Sequence, residues 1–278
     1  ETPNYILLSD LPLKHRHTAR QLQEDIEIMR GIFEKVIPPR SQISAVSVIR
    51  LFADASDYEK YVGDDLKWSA GLWIPEKKEL VIRPVEWGGT REQRAAILTL
   101  VYHEGFHQYL FYALGRKQTS PWFNEGHACM FECADVSGQR VAIEENPRFS
   151  PIISELSANG FLDFKSILDL DYEGFYAGSN DDRSRRYAMA WALVYYLRKG
   201  TASEKSAKYA GILDRYLDAL CRMDDHRKAT AEVMTPEILH SINADFAAFW
   251  KSKNKRSAAA RFDIAARLPQ VPAATSSR

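Results

Sequence analysis

Cysteine is scarce: three residues in 278 cannot form a disulfide framework. Net charge is missing too. Thirty-seven Lys and Arg balance 37 Asp and Glu, so no global field draws the chain onto nucleic acid or an anionic membrane. No apolar run reaches the roughly 18 residues that a membrane helix requires. A composition of 45% hydrophobic and 27% charged residues rules out wholesale disorder, and the length suits one large domain or two small ones. The chain starts at Glu1 rather than Met. The expectation is a removed upstream segment and an exported or cell-envelope location.

What is present divides into an early strand-rich part and a late helical part. Asn4–Ser9 and Ser44–Phe52 read as strands, on either side of a helix over about Lys14–Val36. That helix carries Leu22, Ile26, Met29 and Phe33 at helical spacing and stops at Pro38-Pro39, where the next amide donor is lost. A short helix at Ala55–Val62 precedes two apolar runs, Ala70–Ile74 and Glu79–Arg83, that read as a hairpin. Thr90 and Gln93 have the spacing of a capping box. They open a helix over Arg91–Leu114 that is apolar almost all round and therefore central and buried. A second helix is predicted over Asn124–Val136, with Asn124 as its N-cap. Loop-rich chain follows to Asn159, and Gly174–Arg183 is a further loop. Later helices are predicted at Arg185–Lys199, Glu204–Arg222 and Pro236–Lys251. Strands early and helices late predict an α+β fold. We expect a domain over residues 1–200, a helical subdomain packed on it over 201–268, and a disordered tail over 269–278.

The central helix contains His103-Glu104-Gly105-Phe106-His107. Four residues span about 400° of rotation, so the two imidazoles sit about 40° apart, one turn along the axis. Both can then bind one Zn²⁺ at about 2.0–2.1 Å. Glu104 lies beside them, where its carboxylate can accept a proton from activated water. A catalytic zinc usually takes three protein ligands. Glu125, separated from His107 by seventeen residues within Trp122-Phe123-Asn124-Glu125-Gly126, can supply the third if the second helix returns past the first. Glu132 lies two helical turns beyond it on the same face, placed to accept a hydrogen bond from a ligating histidine and fix its tautomer.

H-E-x-x-H followed by W-x-N-E-G-x-A-x-x-x-E resembles the gluzincin metallopeptidases, of the aminopeptidase N and thermolysin type and especially the smaller bacterial peptidase-MA-like families. In those families eighteen residues usually separate the second histidine from the glutamate of N-E-G, against seventeen here. The resemblance implies a gluzincin-like catalytic domain with His103, His107 and Glu125 as zinc ligands and Glu104 as general base. It also implies a peptide or protein substrate paired with an edge strand, for which the Ala70–Arg83 hairpin is the candidate. A tyrosine on a later helix serves the oxyanion in such enzymes, and Tyr187 falls at about that place; a phenol there would stabilise developing negative charge. The sequence has no G-x-M-E-N-like stretch to capture a free substrate amine, so aminopeptidase activity is not implied.

Several residues have plainer readings. Cys129 and Cys133, four apart, read as small core hydrophobes, with a second metal site involving His127 as the sharper alternative. His15, His17, His226 and His240 read as surface positions. Trp68, Trp73 and Trp87 read as packing around the sheet. Arg185 and Arg186, which adjoin Tyr187, are candidates to contact a substrate carboxylate. The functional expectation is a zinc-dependent hydrolase, most specifically a metallopeptidase. The alternatives are a catalytically inactive zinc-containing peptide-binding protein and a zinc hydrolase of a non-peptide amide or ester.

Overall fold

In the computed structural model, residues 2–84, 90–138, 140–199, 209, 211–254 and 262–263 are described. The fold is α+β, with a small mixed sheet near the N-terminus and a mostly helical remainder. β1 (Tyr5–Ser9) leads into α1 (Arg16–Val36), which buries the stripe Leu22, Ile26, Met29 and Phe33. The chain then returns to β2 (Ser47–Leu51), parallel to β1; a parallel neighbour needs such a crossover because a tight turn only reverses the chain. α2 (Ala55–Val62) is capped by Asp54. The expected hairpin follows as β3 (Gly71–Ile74) and β4 (Glu79–Ile82). β4 pairs parallel with β2, so the sheet order is β1-β2-β4-β3 and β3 lies at an edge.

α3 (Arg91–Ala113) begins with the full Thr90–Gln93 capping box. It packs against α1, β3 and β4, and against α4 (Pro121–Phe131). Phe106 fixes the meeting point: its ring lies 5.6 Å from Phe33 and 5.1 Å from Phe131. Gly105 brings α1 close, since a Cβ there would meet Ile26 Cδ1 at 2.8 Å.

From α4 onward the structure corrects several expectations. The helix starts three residues earlier than Asn124, because Pro121 fits the first helical position and Ser120 is the N-cap. It also ends at Phe131. Residues beyond Cys133 form β5 (Ala134–Ser137), which turns at Gly138 (φ +59°) into β6 (Arg140–Ile143). The expected loop up to Asn159 contains α5 (Ser150–Ala158). After α6 (Lys165–Leu168), the expected loop at Gly174–Arg183 shrinks to residues 177–179, between α7 (Tyr172–Tyr176) and the first turn of α8 (Asn180–Lys199). Asp171 explains the former by accepting a hydrogen bond from the Gly174 amide, which starts a helical turn despite the glycine. α9 (Ile212–Met223) forms the later part of the helix expected over Glu204–Arg222, and residues 204–208 and 210 of that expectation lie outside the described residues. α10 (His226–Val233), capped by Asp225, was not anticipated, whereas α11 (Pro236–Asn254) was. β7 (Phe262–Asp263) pairs with β6.

One buried apolar cluster runs from Tyr5 to Trp250, so the helices beyond residue 211 share the core of the earlier part. The tail expected over 269–278 and Trp87 lie outside the described residues. Trp73 packs edge-on against Phe111 and Tyr112, but Trp68 is 78% exposed and does not pack on the sheet. Among the described residues, no helix is long and apolar enough to cross a membrane.

Candidate metal centre

His103 and His107 lie one turn apart on α3, with ring centroids 4.8 Å apart. α4 crosses this face and delivers Glu125, only 2% exposed. Its Oε2 stands 3.3 Å from His103 Nε2 and 3.6 Å from His107 Nε2, yet makes no hydrogen bond. Donors bound at about 2.0–2.1 Å in a tetrahedral shell are themselves about 3.3–3.4 Å apart. The 3.3 Å separation matches that spacing and the 3.6 Å one is slightly longer, and the three donor atoms lie within 4.8 Å of one another. The set fits a zinc-type ion.

α4 reaches this position because of the glycine after Glu125. A Cβ on Gly126 would meet the Ala190 carbonyl oxygen of α8 at 2.5 Å and Val194 Cγ2 at 2.6 Å. No other residue type permits so close a crossing.

The outer ring nitrogens are each held by a hydrogen bond. His107 Nδ1 lies 2.8 Å from Asn124 Oδ1, while Asn124 Nδ2 donates to the Tyr172 hydroxyl at 2.7 Å. Asn124 Oδ1 accepts from His107 Nδ1–H in this arrangement, which leaves Nε2 as the ring nitrogen that faces Glu125. His103 Nδ1 donates in the same way to Glu132 Oε2 at 3.0 Å, and Glu132 Oε1 accepts from Asn146 Nδ2 at 2.5 Å. Glu132 thus has the contact foreseen for it. Asn124 does not cap the helix, as expected above; it orients an imidazole.

Charge is tightly balanced here. Burial opposes ionisation of Glu125, but the positive imidazoles of His107 and His103 outweigh it and hold the carboxyl well below its usual range. Burial likewise opposes protonation of His103, yet Cys129, Glu125 and Glu132 prevail and raise its proton affinity. His107 is raised by Glu125 against the same burial. Without a metal, the cluster binds protons where a cation's charge would otherwise sit.

Glu104 is on the neighbouring face of α3, where its Oε2 accepts a hydrogen bond from the Trp73 backbone N–H of edge strand β3 at 2.9 Å. Two tyrosines complete the surroundings. Tyr176 donates to Glu125 Oε1 at 2.5 Å. Tyr187, on α8, has its ring edge-on to Phe175 at 5.4 Å and makes no hydrogen bond among the described residues. Burial, then the charge of Glu125, keeps its phenol protonated. The predicted site residues Glu104, His103, His107, Glu125, Glu132 and Tyr187 therefore converge on one region.

Tyr176, Tyr172, Asn146 and the Trp73 amide were not foreseen. The i,i+4 spacing of Tyr172 and Tyr176 after Asp171 was the available signal for the tyrosines. Cys129 is buried core, with its thiol pushed up to about 12 by burial and Glu132. A second donor group, His103, Cys129 and Glu132, also clusters, but its His103 Nδ1 is committed to Glu132. His127 faces away. Its Nδ1 donates to the Phe123 carbonyl at 2.7 Å, and Arg198 Nε donates to its Nε2 at 3.2 Å. Burial, reinforced by Arg198, holds this ring neutral. His226 is half-buried against Ser120, not a surface residue.

Fold and site together define an α+β protein with a His-Glu-x-x-His helix and a candidate His–His–Glu metal centre. Residues 97–214 match a family model described as a protein of unknown function, DUF1570. The match spans every side chain named in this centre. No curated protein matches the chain.

Proposed function

We propose that this protein is a zinc-dependent hydrolase, specifically a metallopeptidase of the gluzincin kind. The observation that carries the reading is the buried Glu125 Oε2, without a hydrogen bond, 3.3 and 3.6 Å from the Nε2 atoms of His103 and His107, close to the donor spacing of a tetrahedral ion. His103, His107 and Glu125 would hold the ion, and Glu132 and Asn124 fix the two rings. When bound, zinc supplies a Lewis acid that polarises the scissile carbonyl and acidifies water.

The chain's own groups do the rest. Glu104 accepts the proton of the attacking water as oxygen bonds to the carbonyl carbon, then passes it to the amine as the C–N bond breaks. The Trp73 N–H orients that carboxylate. Tyr187, whose phenol has no hydrogen-bond partner among the described residues, can donate to the developing oxyanion, whereas Tyr176 is occupied with Glu125. An extended peptide can lie along the outer edge of β3, which pairs with β4 on its other side.

The test is zinc stoichiometry by elemental analysis together with turnover of a broad quenched-peptide library. One zinc per chain is expected, with turnover abolished by Glu104→Gln and zinc retained. Zinc binding without turnover of any peptide would favour the inactive peptide-binding protein. Turnover only of non-peptide amides or esters would favour the third reading, and a chain that binds no zinc would refute all three.

A further inference from the structure

We propose that Arg148 recognises a carboxylate on the substrate, so that the favoured peptides carry a negative charge near the scissile bond. This rests on the metallopeptidase reading. The placement is built from the metal centre outward. His103 is held by Glu132, and Glu132 by Asn146. Asn146 in turn accepts the Arg148 backbone N–H at Oδ1, at 3.0 Å, and the Phe149 amide at its carbonyl, at 3.1 Å. The backbone of Arg148 is thus three hydrogen bonds from a candidate zinc ligand, in a turn locked to it.

The side chain is fixed as well. Its guanidinium lies 4.3 Å from the ring centroid of Phe149, which is fully buried, and 6.0 Å from the ring of Tyr187. A guanidinium laid on aromatic faces keeps its N–H fork free for a planar anion. Arg148 is exposed and has no carboxylate partner among the described residues. The two arginines that the sequence nominated for this task are less suited. Arg186 spends its Nη1 on the carbonyls of Phe175 and Ala177, at 2.8 and 2.6 Å, bracing α7. Arg185 stands at the start of α8, where its charge acts on Asp182. That leaves Arg148, with no carboxylate partner among the described residues and its guanidinium 6.0 Å from the Tyr187 ring. The chemistry it selects is a carboxylate, whether a peptide C-terminus or an Asp or Glu side chain.

The experiment uses zinc-loaded protein carrying Glu104→Gln and three labelled peptides of one neutral sequence: a free acid, a C-terminal amide, and an amide with one residue changed to Glu. Fluorescence anisotropy at low salt should show at least one carboxylate peptide binding on the order of tenfold tighter than the neutral amide. The arm that gains identifies the source of the carboxylate. Adding Arg148→Met should erase the difference while leaving neutral-amide binding unchanged, and Arg148→Lys should restore part of it. Equal affinity for all three peptides, or a preference that survives Arg148→Met, overturns the proposal. Zinc content and hydrolysis of the neutral amide by the unaltered protein are read separately. Hydrolysis without a carboxylate preference leaves the metallopeptidase standing and removes Arg148, and a preference without hydrolysis does the reverse.

Discussion

Replacing Gly126 with alanine tests whether the helix crossing that delivers Glu125 is as tight as the structure shows. The new Cβ would lie 2.5 Å from the Ala190 carbonyl oxygen and 2.9 Å from its carbon, where ordinary contact begins at 3.4 Å. The obstruction is the backbone of a buried helix, so no side chain can rotate away; α4 and α8 must separate by about 1 Å at closely packed density. Overpacking of this kind costs about 1–3 kcal/mol. Alanine returns about 1 kcal/mol through its better helix propensity, which leaves a net loss of up to about 2 kcal/mol. At roughly 2–4 °C per kcal/mol for a chain of comparable size, Tm should fall by up to about 8 °C in calorimetry of the metal-free protein. The same displacement moves Glu125, and sites of this kind tolerate only about 0.5 Å. Zinc affinity, measured by competition with a chromophoric chelator, should drop by about tenfold or more. A variant as stable as its parent, with unchanged zinc affinity, would refute the argument.

The two tyrosines should separate in their effects. Tyr187→Phe should lower kcat by about 10²–10³ with zinc retained, while Tyr176→Phe should weaken zinc binding by about 10- to 100-fold through the loss of its bond to Glu125; an equal loss of kcat from both, with zinc unaffected, would contradict the assignment. In the metal-free protein, the raised proton affinity of His103 contributes stability that is complete below the ordinary histidine value of 6.5 and is lost as pH rises through the elevated one. The depressed affinity of Glu125 contributes stability present above the ordinary 4.5 and lost as pH falls through its lowered value. Because zinc needs the imidazoles bare, the gain in Tm on adding zinc should grow between about pH 6 and about pH 8. A gain that is flat or shrinks over that range would contradict the ligand set.

Much of the early fold was legible because its signals are local. The helix bearing Leu22 and Phe33, the hairpin around Pro75, and the capping box at Thr90 each depend on residues within a few positions of one another, and each is found at or near its expected bounds. The His103–His107 pair was legible for the same reason, since helical rotation alone places both rings on one face. The misreadings came where a tertiary contact decides. Asn124 has the composition of an N-cap, but Pro121 starts the helix and frees Asn124 to meet His107. The stretch around Gly174 looks like a loop, yet the Asp171 cap makes a helical turn that carries Tyr176 to a carboxylate 51 positions earlier in the chain.

By itself the sequence determined an α+β chain, a central helix with two aligned imidazoles, and a glutamate of the right type at a plausible distance along the chain. Only the tertiary structure decided that Glu125 faces those imidazoles, which hydrogen bonds fix their tautomers, and that the edge-strand amide of Trp73 holds Glu104. The reason is physical. Rotation per residue fixes what one element presents, but where two elements cross is set by close packing, here by Gly126 against α8 and Gly105 against α1, and a one-dimensional pattern does not encode it.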